Sequence, residues 1–394
     1  MEVMPAGYKQ TEVGLIPVDW GVSLLRECCS KITDGTHDTP KPIRSGVPFL
    51  TAIHVKDNWI DFESCLYLTK SDHMIIYSRC NPQKNDVLMV NIGAGVATTA
   101  LVEVDYEFSL KNVALLKPDA RTVGSYLNYS LVQRKPKITN DLLSGGAQPF
   151  LSLAQIGGIK IPLPPTKAEQ EAIAEALSDV DALIDGLDKL IAKKRDLKQA
   201  AMQQLLTGQT RLPSFQGEWK IKRLGQVAGI KTGNRNNEDK SDDGQYPFFV
   251  RSDVIERINS YSYECEAILV PGEGKIGSIF HYIQGRFDVH QRVYAITDFM
   301  TDVSSRFVHL YMKKNFGTWA MQNTVKATVD SLRLPTFKTF EMHVPPTLGE
   351  QAAIAEVLTD MEAEIAALEQ RRGKTRALKQ GMMQELLTGK TRLI

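Results

Sequence analysis

Residues 164–212 and 345–393 are two copies of one segment. The first reads PPTKAEQEAIAEALSDVDALIDGLDKLIAKKRDLKQAAMQQLLTGQTRL, and the second PPTLGEQAAIAEVLTDMEAEIAALEQRRGKTRALKQGMMQELLTGKTRL. They align without a gap at an offset of 181, with 28 of 49 positions identical. Chance does not produce such a match. The chain is built on a duplication, and its fold must use the same element twice.

Each copy reads as a long helix with both ends marked. Thr166-x-x-Glu169 and Thr347-x-x-Glu350 follow Pro-Pro and have the form of a capping box, and Gly208 and Gly389 in the shared LLTG supply the C-terminal stop. Ile173, Leu177, Val180, Ile184, Leu187 and Ile191 step by four and three, the spacing of a coiled-coil seam. Ile354, Leu358, Met361, Ile365 and Leu368 repeat that start, and the apolar pattern stops at Arg372. A helix of about 40 residues spans about 60 Å.

Charge predicts how the helices pair. Residues 166–188 carry seven acids and one base, and 189–208 five bases and one acid. Residues 347–370 carry six acids and no base, and 371–394 seven bases and one acid. Helices that are acidic first and basic last attract when antiparallel and repel when parallel. Exposed pairs are worth only about 0.2–1 kcal/mol each, so they set orientation more than stability. The same gradient also complements each helix's own dipole.

The segments ahead of the helices are related more faintly. Trp20 and Trp219 open comparable stretches, and VPFL (47–50) matches YPFF (246–249). Residues 86–103 parallel 267–284, 110–116 parallel 289–296, and 151–165 lie over 332–346 at the same offset. Short alternating runs broken by Gly, Pro, Asn and Asp indicate strand-rich α+β domains. The expected organisation is a first domain over 1–163, a helix over 164–210, a second domain over 211–344 and a helix over 345–394. The fold class is α+β, two mixed domains joined by two long antiparallel coiled-coil helices with a pseudo-two-fold repeat. Similar helices beside divergent domains suggest a constant frame carrying two different readers.

Catalytic chemistry is not evident. GEGKIG (272–277) fits G-x-G-x-x-G, but SIFHYIQ after it reads as a strand, so a glycine-rich hairpin is expected rather than a dinucleotide site. NPQK (81–84) lacks the second proline and aromatic of an amino-methyltransferase loop, and no P-loop occurs. Glu273-x-Lys275 has no suitably placed upstream Asp for a nuclease. The seven histidines, His37, His281 and His290 among them, are dispersed without zinc spacing. No catalytic, cofactor-binding or metal-binding set is expected.

The 394 residues carry 47 Lys+Arg against 46 Asp+Glu, which excludes a uniformly basic nucleic-acid coat and a polybasic membrane binder. Five cysteines form no framework, and neither a signal pattern nor a run of 18 apolar residues is present, so a cytoplasmic chain with no membrane association is expected. Recognition chemistry is concentrated in loops. The first domain offers His37, Lys41, Arg44, Lys111 and Asn112, and the second Lys231, Asn234, Arg235, Asn236 and Asn237. Arg251, Lys275, Gln291, Arg292, Lys326 and Arg333 follow. Arg and Lys match the acceptors of guanine, and Asn and Gln the donor–acceptor edge of adenine. Glycines in GAG (93–95) and GEG (272–274) let backbone N–H groups approach phosphates. Such loops are also simply what polar, Gly-rich connections look like.

At this point the whole chain resembles the specificity subunits of type I restriction–modification enzymes. The resemblance rests on YKQTEVGLIPVDW (8–20), the two PPT-x-x-EQ-x-AIAE helix starts, the two LLTG-x-TRL ends and the order reader, helix, reader, helix. It implies two target-recognition domains, each reading half of an asymmetric bipartite sequence in double-stranded DNA, with the helices as an antiparallel spacer. It implies docking of two modification subunits, which carry the methyl-donor site, and of restriction subunits with motor and nuclease. S-adenosylmethionine, ATP and magnesium are then expected in those partners, and none in this chain, which is expected to be non-catalytic. The competing expectations are a coiled-coil adaptor whose two domains bind proteins, and an enzyme using GEGKIG.

Overall fold

Strands and helices alternate along the chain in an order that occurs twice. The computed structural model describes residues 6–143, 149–323 and 331–394. Two compact units emerge, one of residues 1–187 with 371–394 and the other of residues 188–370.

Beside two short hairpins (Tyr8–Thr11 with Gly14–Pro17, and Val55–Lys56 with Trp59–Ile60), the first unit contains β1 (Gly21–Leu24), β2 (Cys29–Asp34), β3 (Val47–Thr51), β4 (Leu66–Leu68), β5 (Val87–Val90), β6 (Thr99–Leu101), β7 (Ser109–Lys111), β8 (Val113–Pro118) and β9 (Lys160–Leu163). Besides single-turn helices and its share of the two long ones, it contains α1 (Lys70–Cys80) and α2 (Gly124–Leu143). β8 lies between β2 and β5, antiparallel to both, and β5 pairs with β6. A second sheet sets β3 between β7, parallel to it, and β4, antiparallel to it. VLMV of β5 is buried on both faces, as a continuous apolar run bounded by turn residues demands. Leu127 and Leu131 of α2 close over Val87, Met89, Ala114 and Leu116.

The second unit contains β10 (Lys220–Arg223), β11 (Gly229–Thr232), β12 (Tyr246–Phe249), β13 (Ile255–Ile258), β14 (Tyr263–Pro271), β15 (His281–Val289), β16 (Val293–Thr297) and β17 (Glu341–Val344). β16 lies between β11 and β14, β14 pairs with β15, β12 runs parallel to β15, and β13 pairs with β12. This is the first unit's course strand for strand. The difference is that β15 runs unbroken where the first unit divides into β6 and β7, so six strands form one sheet. The pairs β1–β9 and β10–β17 are likewise equivalent. The faint likeness of the two domains is therefore a shared topology. The segment 52–80, with α1, has no counterpart of its length between β12 and β14.

The duplicated segments are α3 (Lys167–Leu205) and α5 (Leu348–Leu386), and α4 (Ser305–Asn323) stands in the second unit where α2 stands in the first. Each unit takes the start of one long helix and the end of the other, and within each unit these pieces run antiparallel. In the first, Glu169 meets Arg392 and Asp181 meets Lys379. In the second, Glu350 meets Arg211, Glu362 meets Lys198 and Glu364 meets Lys194. Arg211–Glu350 and Arg392–Glu169 are one bridge occurring twice at the offset of 181.

At the positions of the spacing, Ile173, Leu177, Ile184, Leu187, Ile191, Ile354, Leu358 and Ile365 are buried, and Val180, Met361 and Leu368 half-buried. That pattern does not end at Arg372. Burial at the same spacing continues through Arg372, Thr375, Lys379, Met382 and Leu386, the counterparts of Ile191, Lys194, Lys198, Ala201 and Leu205. The periodicity persists while its chemistry turns polar, because Lys198 and Lys379 each reach an acid on the other helix.

The helix caps need one correction. Thr166 and Thr347 accept from the N–H groups of Glu169 and Glu350, as expected. The glutamate carboxylates do not return to the cap. They are buried against Arg392 and Arg211 of the two TRL sequences, and Glu350 also accepts from Trp219 Nε1 at 3.3 Å. A full charge pair in a buried place outcompetes a local backbone bond. Gly208 and Gly389 take the left-handed conformation expected of C-terminal stops, with φ of 72° and 70°.

Among the described residues no helix is long and apolar enough to cross a membrane, and no His/Cys/Asp/Glu group could hold a metal ion.

Candidate nucleic-acid interface

In the first unit the loop leaving β2 folds back onto the junction of β7 and β8. Gly35 makes this possible, since a Cβ there would lie 2.1 Å from the Leu110 carbonyl oxygen. Gly35 N–H donates to Val113 O, Thr36 N–H to Leu110 O, and Asn112 N–H to Thr36 O. Asn112 sits at φ 52°, a conformation asparagine tolerates better than most residues. These bonds bring His37 beside Asn112, with Nδ1 2.8 Å from Asn112 Oδ1, while its Nε2 lies 3.0 Å from Asp34 Oδ2. Asp34 is buried and receives Arg79 at 2.8 Å on its other oxygen. Lys111 donates to Thr39. Lys41 and Arg44 are exposed and meet no ion-pair partner among the described residues.

The second unit builds the same turn from different residues. A Cβ on Gly233 would lie 1.9 Å from Val289 O. Gly233 N–H donates to Val293 O, Arg235 N–H to Val289 O, and Gln291 N–H to Arg235 O. Asn236 and Gln291 thereby meet through their amides, at the places His37 and Asn112 hold in the first unit. Arg235 is half-buried and tied at 3.1 Å to Asp288, which is fully buried and also accepts from Ser260. Its guanidinium thus braces the loop. Lys231, Asn234 and Asn237 are exposed around it.

A second cluster surrounds GEGKIG, which is a hairpin loop between β14 and β15, with the strand starting at His281. Glu273 holds Arg251 at 3.3 Å on one oxygen and Arg292 at 3.1 Å on the other, and Lys275 pairs with Asp253. Leu332 N–H donates to Gly272 O, which brings exposed Arg333 alongside. Gly277, at φ 66°, passes over Gly317 of α4 so closely that a Cβ would lie 2.5 Å from that glycine's Cα. His290 is buried beneath the arginines. Burial, and then the charges of Arg251 and Arg292, hold its pKa below the ordinary histidine value, and its Nδ1 accepts from Arg292 N–H. Arg251, Glu273, Gly274 and Asn237 share one cleft of about 510 Å³.

The candidates are thus brought together in groups, around one turn in the first unit and around the equivalent turn and its neighbouring hairpin in the second. Lys326 lies outside the described residues. Sequence reading missed the acids Asp34 and Asp288 beneath the loops, and weighed Glu273 only as half of a nuclease motif and not as the anchor of two arginines. Missed too are Ile92 and Phe150, an exposed bridged pair standing where the second unit has Glu273 and Ser331. The 181-residue offset places Phe150 over Ser331, and that was the available signal.

The family model of the type I restriction modification DNA specificity domain matches residues 17–193 and 216–376. The chain belongs to this family. A Methanocaldococcus jannaschii protein assigned as the MjaX specificity subunit of a type I restriction enzyme is 25% identical to this specificity chain, over 98% of it and 97% of the relative. The Escherichia coli EcoDI specificity subunit is 28% identical over 39% of this chain and 33% of its own. Among solved structures, the S subunit of the type I system of M. genitalium shares the fold, with a TM-score of 0.66 at 14% identity over 93% of this chain and 96% of that one. Membership makes this specificity chain a DNA-recognition protein rather than a protein-binding adaptor.

Proposed function

We propose that the chain selects the DNA site for a type I restriction–modification complex, each unit reading one half of an asymmetric, discontinuous sequence. The observation that carries this reading is one backbone turn occurring in both units, held by matching hydrogen bonds and furnished with different polar side chains. Exposed Lys41 and Arg44 in one unit, and Lys231 and Arg333 in the other, supply phosphate contacts that fix register, while amide-bearing loops face base edges. The paired helices set the unread gap and dock two modification subunits. Adenine methylation with S-adenosylmethionine belongs to those subunits, and ATP- and magnesium-dependent cleavage to restriction subunits.

Near-neutral charge limits how tightly this chain alone grips DNA. The assembled complex therefore supplies the test. Methylome sequencing of a host expressing this chain with its modification subunits should reveal adenine methylation at one discontinuous, non-palindromic motif. Methylation at a continuous site, or at no defined site, would overturn the reading.

A further inference from the structure

Resting on that reading, we infer that the side-chain pairs His37–Asn112 and Asn236–Gln291 each fix the identity of one base pair, guanine–cytosine in the first half-site and adenine–thymine in the second.

Place comes first. Both pairs bridge the loop after the sheet's edge strand (β2 or β11) to the approach of β8 or β16, Asn112 one residue and Gln291 two residues before the strand begins. Both are set there by a glycine that no other residue can replace without collision, and by the bonds Asn112 N–H to Thr36 O and Gln291 N–H to Arg235 O. The ladder Thr36 to Leu110 and Asn112 recurs as Arg235 to Val289 and Gln291, with one extra residue on each side of the turn in the second unit, and the side chains it carries differ. That is a place where a difference in sequence preference between the two units can be carried.

Support comes second. Each turn stands on a buried carboxylate, Asp34 under His37 and Asp288 under Arg235. Neither acid reaches the amides of Asn112 or Gln291. The turn is pre-organised while its outermost polar atoms stay available, which is the condition for discriminating base edges without a cost of ordering. The neighbouring exposed cations suit phosphates, which carry no direct sequence information.

Chemistry then assigns the bases. Gln291 Nε2 donates to Asn236 Oδ1, so the pair keeps Asn236 Nδ2 as a donor and Gln291 Oε1 as an acceptor. A donor beside an acceptor is complementary to N7 and the N6 amino group of adenine. In the first unit both ring nitrogens of His37 face oxygens, Asn112 Oδ1 and Asp34 Oδ2. The group left to an incoming edge is the Asn112 Nδ2 amide, a donor only, which suits the two acceptors of guanine.

The test uses the whole chain assembled with its modification subunits, selecting bound DNA from a randomised pool. Gln291→Ala should lose preference for one adenine–thymine pair in a single half-site, about ten- to a hundred-fold, with the other half-site unchanged. Asn112→Ala should do the same to one guanine–cytosine pair in the opposite half-site. Gln291→Glu and Asn112→Asp, which keep shape and present only acceptors, should move the preference towards cytosine, and they replace the alanine variants if those fail to assemble. Lys41→Ala serves as the contrast, weakening all sequences alike. Unchanged motifs in the variants, or losses spread evenly over all bases, would overturn the assignment. If the unaltered chain selects no discontinuous motif, it is the proposed function that fails instead.

Discussion

The two hairpin loops that follow β5 and β14 occupy equivalent places, yet they are chemically unlike. In the second unit Glu273 gathers Arg251 and Arg292, and the loop is a self-neutralised cluster of charge. In the first unit its counterpart is Ile92, bridged to Phe150, and the loop offers exposed apolar surface. The helices beneath show the reverse, with the bridges Arg392–Glu169 and Arg211–Glu350 the same in both units. Identity is kept where it fixes the helix pairing, and difference appears in the exposed loops. The shared topology thus carries an apolar pair in one unit and an acid with two guanidinium groups at the equivalent place in the other.

The comparison breaks most completely if the units are interchangeable modules. Exchange of residues 211–344 for the second domain of another family member should replace one half of the methylated motif and preserve the other, as read by methylome sequencing. Retention of the whole motif would mean that both halves are read by the first unit.

The equality of the two helix bridges is sharpened by Arg211→Ala and Arg392→Ala. Each removes the cationic partner of a buried glutamate, and each should cost about 3–5 kcal/mol in urea unfolding. Similar losses mark the bridges as true equivalents. A loss at one site only would make the duplication one of sequence but not of energetics.

A pH dependence should single out the second unit. His309 of α4 faces Phe280 O, with Lys313, Glu362 and His281 as the charged or titratable groups nearby, and burial lowers its pKa to about 4. The folded unit therefore takes up this proton later than the unfolded chain does. Stability from this residue is intact above about pH 6.5 and falls as pH drops towards 4, by roughly 3 kcal/mol in all. His309→Gln should flatten that slope in thermal melts between pH 7 and 4, and an unchanged slope would assign the loss to other groups.

The smallest effect concerns the hairpin loops themselves. Glu273→Gln releases Arg251 and Arg292 for phosphates, so nonspecific DNA affinity should rise several-fold and its salt slope steepen by about 1–2. Ile92→Glu, the reverse change in the first unit, should weaken binding. Fluorescence anisotropy across a salt series measures both, and equal slopes before and after would separate Glu273 from the DNA surface.

The frame was legible because its signals are local and periodic. Seam spacing, the Thr-x-x-Glu starts, the glycine stops and the charge gradients are all read within one helix, and together they gave the antiparallel pairing. The fate of Glu169 and Glu350 was not legible, since their partners Arg392 and Arg211 lie more than a hundred residues away. The continuation of the seam past Arg372 was hidden for a related reason. Polar side chains mask a periodicity that backbone geometry still enforces. In the candidate interface, loop composition pointed to Asn112, Asn236 and Gln291, but Arg235 turned out to be spent on Asp288, whose burial nothing local announces.

The first unit is completed by the chain's last stretch. Tyr8 donates to the carbonyls of Gly389 and Lys390, and Arg392 reaches Asp19 as well as Glu169. Residues 386–393 thus pack beside Tyr8 and Asp19 much as residues 205–212 pack within the second unit, where Arg211 meets Glu350. The first unit is therefore discontinuous in sequence and closes only once residues 371–394 are in place, whereas the second is the single stretch 188–370.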